Sequence, residues 1–203
     1  MNAKQGTPPL QWKLWIYTNY DCNIKCSYCV AKSSPNASRR ALGLANVKQL
    51  VDEALALGFE HIFFTGGEPF LLNNIYDMLA YSSSRIKTTV LTNAMILRGA
   101  RLEKLCAVAN ENLITQVSLD GGCPEDHDAY RGAGAWAKTV EGIKLLQAKN
   151  FRVRIGTTET PTNSAPFVVL DCARCKAKDV WVTRTRNECR TCAKGPGGVY
   201  EAF

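Results

Sequence analysis

The chain has no long apolar run. A membrane-spanning helix needs about 18–20 consecutive apolar residues, and nothing among the 203 residues approaches that. Met1–Gln11 also lacks the apolar core of a secretory signal. The expectation is a cytoplasmic protein with no membrane contact, in a compartment where thiols stay reduced. Histidine is scarce, with two in the chain. His61 adjoins a strand and reads as packing or surface; His127 reads as a loop residue with a structural hydrogen bond. Cysteine is the opposite case: nine, without a signal, argue for metal ligation rather than disulfides.

Hydrophobic content of 46% and charged content of 21% describe one globular core, at a length that leaves room for a small appendage. Net charge is +7, and residues 171–203 hold seven Lys/Arg against four Asp/Glu. That surplus could hold RNA, DNA or an acidic peptide, or be a solvated face.

A strand-then-helix rhythm recurs about every thirty residues, the mark of βαβ units and a parallel sheet. Strands are predicted over Leu10–Thr18, 60–65, Ile86–Thr92 and Leu113–Leu119, with Phe151, Val153 and Ile155 marking a fifth. The first helix is expected to start at an Asn46 cap with Gln49 reaching back. It carries Val47, Leu50, Val51, Ala54 and Leu55 on one stripe and stops at Gly58. Further helices are predicted near 73–83, with Ile75, Met78 and Leu79 inward, over Leu97–Ala109, and through Trp136, Val140, Ile143 and Leu146. Cys106 falls on an apolar stripe and reads as a small core residue. Where a fifth helix should follow, residues 158–166 (TETPTNSAP) are turn-rich.

Two motifs lie directly after strands. Cys22, Cys26 and Cys29 form C-x₃-C-x₂-C. Three thiols cannot pair off as disulfides, and they leave one corner of a tetrahedral zinc unfilled. They suit a 4Fe–4S cluster whose fourth iron stays open, although a zinc knuckle or unrelated buried thiols fit the spacing too. Thr65-Gly66-Gly67-Glu68-Pro69 ends the second strand. Paired glycines there permit close backbone approach to a ligand. Candidate positions thus collect on the carboxyl rim, where parallel α/β folds build their sites.

The cysteine run with an aromatic before its last thiol, followed by GGEP, resembles the radical S-adenosylmethionine (SAM) superfamily over about residues 10–160. The resemblance implies a partial (β/α) barrel, here of about five βα units rather than six, so that a completing subunit is conceivable. It implies that Cys22, Cys26 and Cys29 hold a 4Fe–4S cluster and that SAM binds the fourth iron. Tyr28 would pack beside adenine, and the Gly66–Gly67–Glu68 edge would receive the methionyl amino group. Thr92-Asn93, Ser118-Leu119-Asp120-Gly121 and His127-Asp128-x-x-Arg131-Gly132 extend the likeness toward the branch that modifies peptides and proteins. There Ser118 and Arg131 would contact SAM, with Asn93 and Asp120 on the same rim. The implied activity is an oxidoreductase-type reductive cleavage of SAM to a 5′-deoxyadenosyl radical, which abstracts hydrogen from a peptide, protein or small-molecule substrate. A flavodoxin- or ferredoxin-like protein would supply the electron.

A second cysteine set, Cys172/Cys175 and Cys189/Cys192, is C-x₂-C pairs flanking residues 176–188. It reads as a zinc ribbon, with an auxiliary Fe–S cluster as rival. The stretch 179–186 between the knuckles reads as strand. Trp181 covers the knuckle or, with Arg184 and Arg186, stacks a base. The expected division is a core over 1–165 and a four-cysteine metal-knuckle segment over 166–203. Cys123, after Gly121-Gly122, is a candidate catalytic thiol. The competing function is a non-catalytic metal-binding module whose basic ribbon recognises nucleic acid.

Overall fold

A computed structural model describes residues 12–160 and 179–184. Six strands form one all-parallel sheet in consecutive order. They are β1 (Lys13–Tyr17), β2 (His61–Thr65), β3 (Lys87–Thr92), β4 (Leu113–Ser118), β5 (Val153–Glu159) and β6 (Asp179–Arg184). The first four crossovers carry α1 (Leu44–Ala56), α2 (Ile75–Ser83), α3 (Ala100–Ala107) and the pair α4 (Pro124–Arg131) and α5 (Ala135–Ala148). Sequential order with parallel neighbours is the topology of a (β/α) barrel wall. β1 and β6 are its edges among the described residues.

Side chains alternate across each strand. Ile16, Ile62, Phe64, Val90, Val117 and Ile155 join one buried cluster with Val47 and Val51 of α1, Leu79 of α2, Leu105 of α3 and Leu146 of α5. Phe63 lies on the other face, stacked on Trp15 at 4.3 Å and on His61 at 4.1 Å between ring centroids. Cys106 packs against the helix-side cluster, as its stripe position predicts.

The structure departs from the sequence reading at three places. First, α1 begins at Leu44 after Gly43, with no side-chain cap. Leu42 and Leu44 pack on the core, and the Leu42 amide reaches the Thr18 carbonyl at 2.8 Å, so tertiary anchoring starts the helix before Asn46. Gln49 donates instead to Glu53 at 2.8 Å. Second, His127 sits on a helix, α4, rather than a loop. Pro124 at its first turn and the acids Glu125 and Asp126 were the legible signals. Third, the strand between the two C-x₂-C pairs belongs to the main sheet. Asp179–Arg184 pairs in parallel with β5, Gly156 opposite Trp181. The four cysteines of the second set lie outside the described residues, as does the turn-rich stretch beyond Thr160. No helix among the described residues is long and apolar enough to cross a membrane.

Candidate functional site

The cysteine loop and the glycine pair are one physical unit. The loop leaves β1 beside the turn that leaves β2. The Gly67 amide donates to the Asn19 carbonyl (2.9 Å) and the Glu68 amide to the Asp21 carbonyl (3.0 Å). A Cβ on Gly66, whose φ is +153°, would stand 2.6 Å from the Asn19 carbonyl oxygen; one on Gly67 would stand 2.0 Å from that of Asp21. Only glycine permits this approach. The close contact is made to the cysteine loop's own backbone. It uses up both amides.

Glu68 locks this turn to the end of β3. It is fully buried. Oε1 accepts from the Phe70 amide (3.2 Å) and the Thr92 hydroxyl (2.8 Å), and Oε2 accepts from the Asn93 amide (2.9 Å). Burial pushes its carboxyl up to about 7, while these donors pull it down. Asn93 continues the chain of contacts into the loop: its Nδ2 donates to Asn23 Oδ1 at 2.8 Å and stands 3.9 Å from Cys22 Sγ.

A second network ties the loop to the end of β4. Asp120, also fully buried, accepts from Arg131 Nε (2.6 Å) and Nη2 (3.3 Å), from the Thr158 amide (2.9 Å) and from the Tyr28 hydroxyl. Arg131 lies 5.5 Å from the Tyr28 ring centroid and its Nη1 is 4.0 Å from Cys26 Sγ. Burial opposes its charge, and Asp120 more than restores it. Burial raises the Tyr28 phenol, with Arg131 pulling the other way and Asp120 adding to the rise. His127 aligns the group from behind. Its Nδ1 accepts the Asp120 amide at 3.1 Å, and burial, then Arg131, push it down to about 4, so it is neutral at neutral pH.

The three thiols therefore sit in different surroundings. Burial pushes Cys22 up to about 12 and raises Cys26 against the pull of Arg131. Cys29 Sγ accepts the Ser33 amide at 3.3 Å. A metal would displace protons from the two raised thiols. Among the described residues no three His, Cys, Asp or Glu side chains gather as one ion requires. The donors Asn93, Arg131 and the Ser33 amide approach the sulfurs, as suits thiolates shared over the irons of a cluster. Glu68 and Asp120, the rim's buried carboxylates, are committed to protein donors, so neither is offered as a fourth ligand.

Of the positions singled out in the sequence, Cys22, Asn93 and Glu68 are joined in one network, and Cys26, Tyr28, Asp120 and Arg131 in another. Ser118 ends β4 half-buried, its hydroxyl without a hydrogen bond among the described residues. Cys123 caps α4 and its thiol donates to Asp126 at 3.4 Å. The Asp126 amide lowers its pKa, but the Glu125 and Asp126 side chains raise it overall, so it is held as a thiol. The sequence reading missed Asn19. Its buried Nδ2 reaches the Asp21 carbonyl (2.9 Å), Asp21 Oδ1 (3.0 Å) and the Glu68 carbonyl (3.1 Å). A turn-forming asparagine directly after a strand was the available signal.

Comparison with known proteins identifies relatives by sequence and by fold. The chain is 30% identical over 144 residues to the AdoMet-dependent heme synthase of Methanosarcina barkeri, covering 70% of this chain and 41% of that protein. It is 36% identical over 139 residues to the antilisterial bacteriocin subtilosin biosynthesis protein AlbA of Bacillus subtilis, covering 66% and 30%. Streptococcus suis SuiB, solved with S-adenosylmethionine bound, superposes with a TM-score of 0.73 at 20% identity, over 88% of this chain and 42% of SuiB. The chain thus spans less than half the length of each of these three proteins. The Radical SAM superfamily profile matches residues 16–162, and the chain belongs to that family.

Proposed function

We propose that this chain is the core of a radical SAM enzyme whose substrate is a peptide or protein. The observation that carries the reading is the loop of three thiols hydrogen-bonded to the Gly66–Gly67 turn, with the rim's buried carboxylates, Glu68 and Asp120, committed to protein donors. Cys22, Cys26 and Cys29 hold a 4Fe–4S cluster. With SAM bound, that cluster supplies one-electron chemistry that ends in 5′-deoxyadenosine after hydrogen is taken from the substrate.

The chain's own residues bind and orient. Because the Gly67 and Glu68 amides are spent on the cysteine loop, the carbonyls of Gly66 and Gly67 are the turn's acceptors, with no partner among the described residues. They suit the cationic amino group of methionine. The Ser118 hydroxyl and Arg131, beside the loop, suit its carboxylate. The Tyr28 ring, its hydroxyl held by Asp120, offers a fixed face for adenine. Buried Glu68 and Asp120 keep these groups in register without facing solvent.

A peptide or protein substrate is favoured because AlbA serves bacteriocin biosynthesis and SuiB has also been solved bound to the precursor peptide SuiA. The heme synthase makes a small-molecule substrate the alternative. A structural zinc at Cys172, Cys175, Cys189 and Cys192 completes the reading. Zinc near one per chain should be lost on Cys175→Ala with the first cluster intact; extra iron and sulfide lost instead would replace it with an auxiliary cluster.

The decisive experiment is anaerobic reconstitution followed by reductant and SAM. Release of 5′-deoxyadenosine, abolished by Cys26→Ala, is expected. A reconstituted cluster with no SAM cleavage would sink the enzymatic reading in favour of a binding module.

A further inference from the structure

The inner face of the sheet, opposite the helices, is closed at one level and open at the next. Phe63, Thr89 and Ile114 are buried on that face, and the Thr89 hydroxyl is met by His61 Nε2 at 2.8 Å. Two residues further along the same strands stand Thr65, Leu91 and Gln116. Thr65 and Leu91 are half-exposed, and so is Ser118 beyond Gln116. Their neighbours on the helix side, Phe64, Val90 and Val117, are fully buried. Among the described residues the inner face therefore opens as a recess toward the carboxyl rim, with Phe63, Thr89 and Ile114 as its floor.

Gln116 sits just above that floor, with only 7% of its surface exposed. Its carboxamide has no hydrogen-bond partner among the described residues. A polar side chain so buried is ordinarily paired, and a carboxamide brings two N–H donors and an acceptor oxygen. The neighbouring strand fixes where this one points. Gln116 lies opposite Arg154 in the register, and Ser118 opposite Gly156. Yet a Cβ on Gly156 would stand 2.7 Å from Gln116 Nε2, 3.3 Å from its Cδ and 3.4 Å from its Cγ. The side chain thus lies over Gly156, one row nearer the rim than its own register partner. It leans toward Ser118 and the site, along a path that even an alanine methyl at 156 would block.

We propose that Gln116 contacts the substrate, its carboxamide accepting the N–H and donating to the C=O of one peptide group. The inference rests on the peptide reading above and names the residue that would recognise that class of substrate. A carboxamide and a peptide group carry the same donor and acceptor, so they satisfy each other in both directions; a carboxylate can only accept. Ser118 and Arg131, assigned above to SAM, stand at the rim. Gln116 lies a row further in, which leaves it to the other reactant. A site built to hydrogen-bond its substrate discriminates strongly against compounds that leave its polar group unpaired. Gly156 takes part by what it lacks: it keeps the carboxamide in place.

The test gives the reconstituted protein dithionite, SAM and a pool of short peptides built from uniformly deuterated amino acids. Mass spectrometry follows singly deuterated 5′-deoxyadenosine, and equilibrium dialysis follows SAM affinity. In each transfer a C–D bond of the peptide breaks and one forms in 5′-deoxyadenosine. Dithionite supplies the electron that cleaves SAM and the one that, with a solvent proton, restores the peptide carbon. Transfer from the same amino acids in free form should be at least about tenfold lower. Gln116→Leu should lower transfer from peptides by about tenfold or more, with SAM affinity within about twofold. Gln116→Glu should be as poor at alkaline pH and recover as pH falls, because a protonated carboxyl again both donates and accepts. Gly156→Ala should lower transfer in the unmodified background and add nothing to Gln116→Leu. Unchanged transfer in Gln116→Leu overturns the proposal, as does equal transfer from free amino acids. Weakened SAM binding in that variant also overturns it, by giving the carboxamide to SAM. If Gln116→Leu fails to fold, unchanged transfer in Gly156→Ala overturns the proposal in its place. Release of 5′-deoxyadenosine by the unmodified chain with no deuterium from any peptide would overturn the peptide reading itself, a result distinct from each of these.

Discussion

The two ends of the sheet both bury charged or titratable side chains, and only one end makes a site. At the amino end, His61 opens β2 between Lys13 of β1 and Lys87 of β3. Its Nε2 is 2.8 Å from the Thr89 hydroxyl, and its ring stacks on Phe63. Burial, then Lys87, Arg154 and Lys13, push it down to about 3. At the carboxyl end, Glu68, Asp120 and Arg131 are equally buried, but they stand around thiols and a loop open to solvent. A perturbed pKa marks a candidate. It becomes a site only where the perturbed groups converge on something reactive and reachable. His61 meets the Thr89 hydroxyl and the Phe63 ring, and no thiol.

Removing the carboxylate at the rim should have the largest effect. Asp120→Ala leaves Arg131 buried without its partner and should cost about 3–5 kcal/mol in chemical denaturation, together with a loss of 5′-deoxyadenosine release. If stability and turnover both survive, Asp120 is not what ties the cysteine loop to β4. Gly67→Ala should come next. Its Cβ meets the Asp21 carbonyl, so the cysteine loop must move, at about 1–3 kcal/mol and with less iron bound per chain after reconstitution. Normal iron content in that variant would show that the two motifs need not touch.

The pH response of the metal-free chain should separate the two ends further. His61 falls from its ordinary 6.5 to about 3, so the folded state binds fewer protons than the unfolded one between those values. Its stabilisation is complete above 6.5 and is lost as pH falls. Glu68 rises from 4.5 to about 7, so its stabilisation is complete below 4.5 and is lost as pH rises toward 7. Each slope is at most about 1.4 kcal/mol per pH unit. Denaturation midpoints should lose the acid-side slope in His61→Phe and the neutral-side slope in Glu68→Gln. Identical profiles in both variants would mean that the two ends do not differ as described. Cys123→Ala should do least, with deoxyadenosine release within about twofold and stability within about 0.5 kcal/mol. Abolished product would place Cys123 in the catalytic machinery.

Much of this was readable from one-dimensional pattern. Period-two strands and period-3.6 helices placed β2 to β5 and the helices α2, α3 and α5 to within a few residues, because each element buries one regular face. The cysteine spacing and the glycine pair were readable because both answer to strict local geometry. Less readable were the features set by contacts distant in sequence. The start of α1 was misplaced because Leu42 and Leu44 are anchored by the core and not by a cap. α4 was overlooked because a short, polar helix has little apolar period.

What the sequence determined alone is the chemistry on offer: three thiols, a GG turn, and a Ser-Leu-Asp-Gly segment ahead of His127 and Arg131, each after its own element. Tertiary structure decided how they are used. It spends the Gly67 and Glu68 amides on the cysteine loop, turns Glu68 and Asp120 inward, and brings residues 179–184 into the sheet as its sixth strand. The physical reason is that a hydrogen bond or a Cβ clash depends on positions in space. Asn19 and Gly67 are far apart along the chain and meet because β1 and β2 pair in parallel; Tyr28 and Asp120 follow strands that do not pair with each other and meet only because the cysteine loop folds across the carboxyl rim.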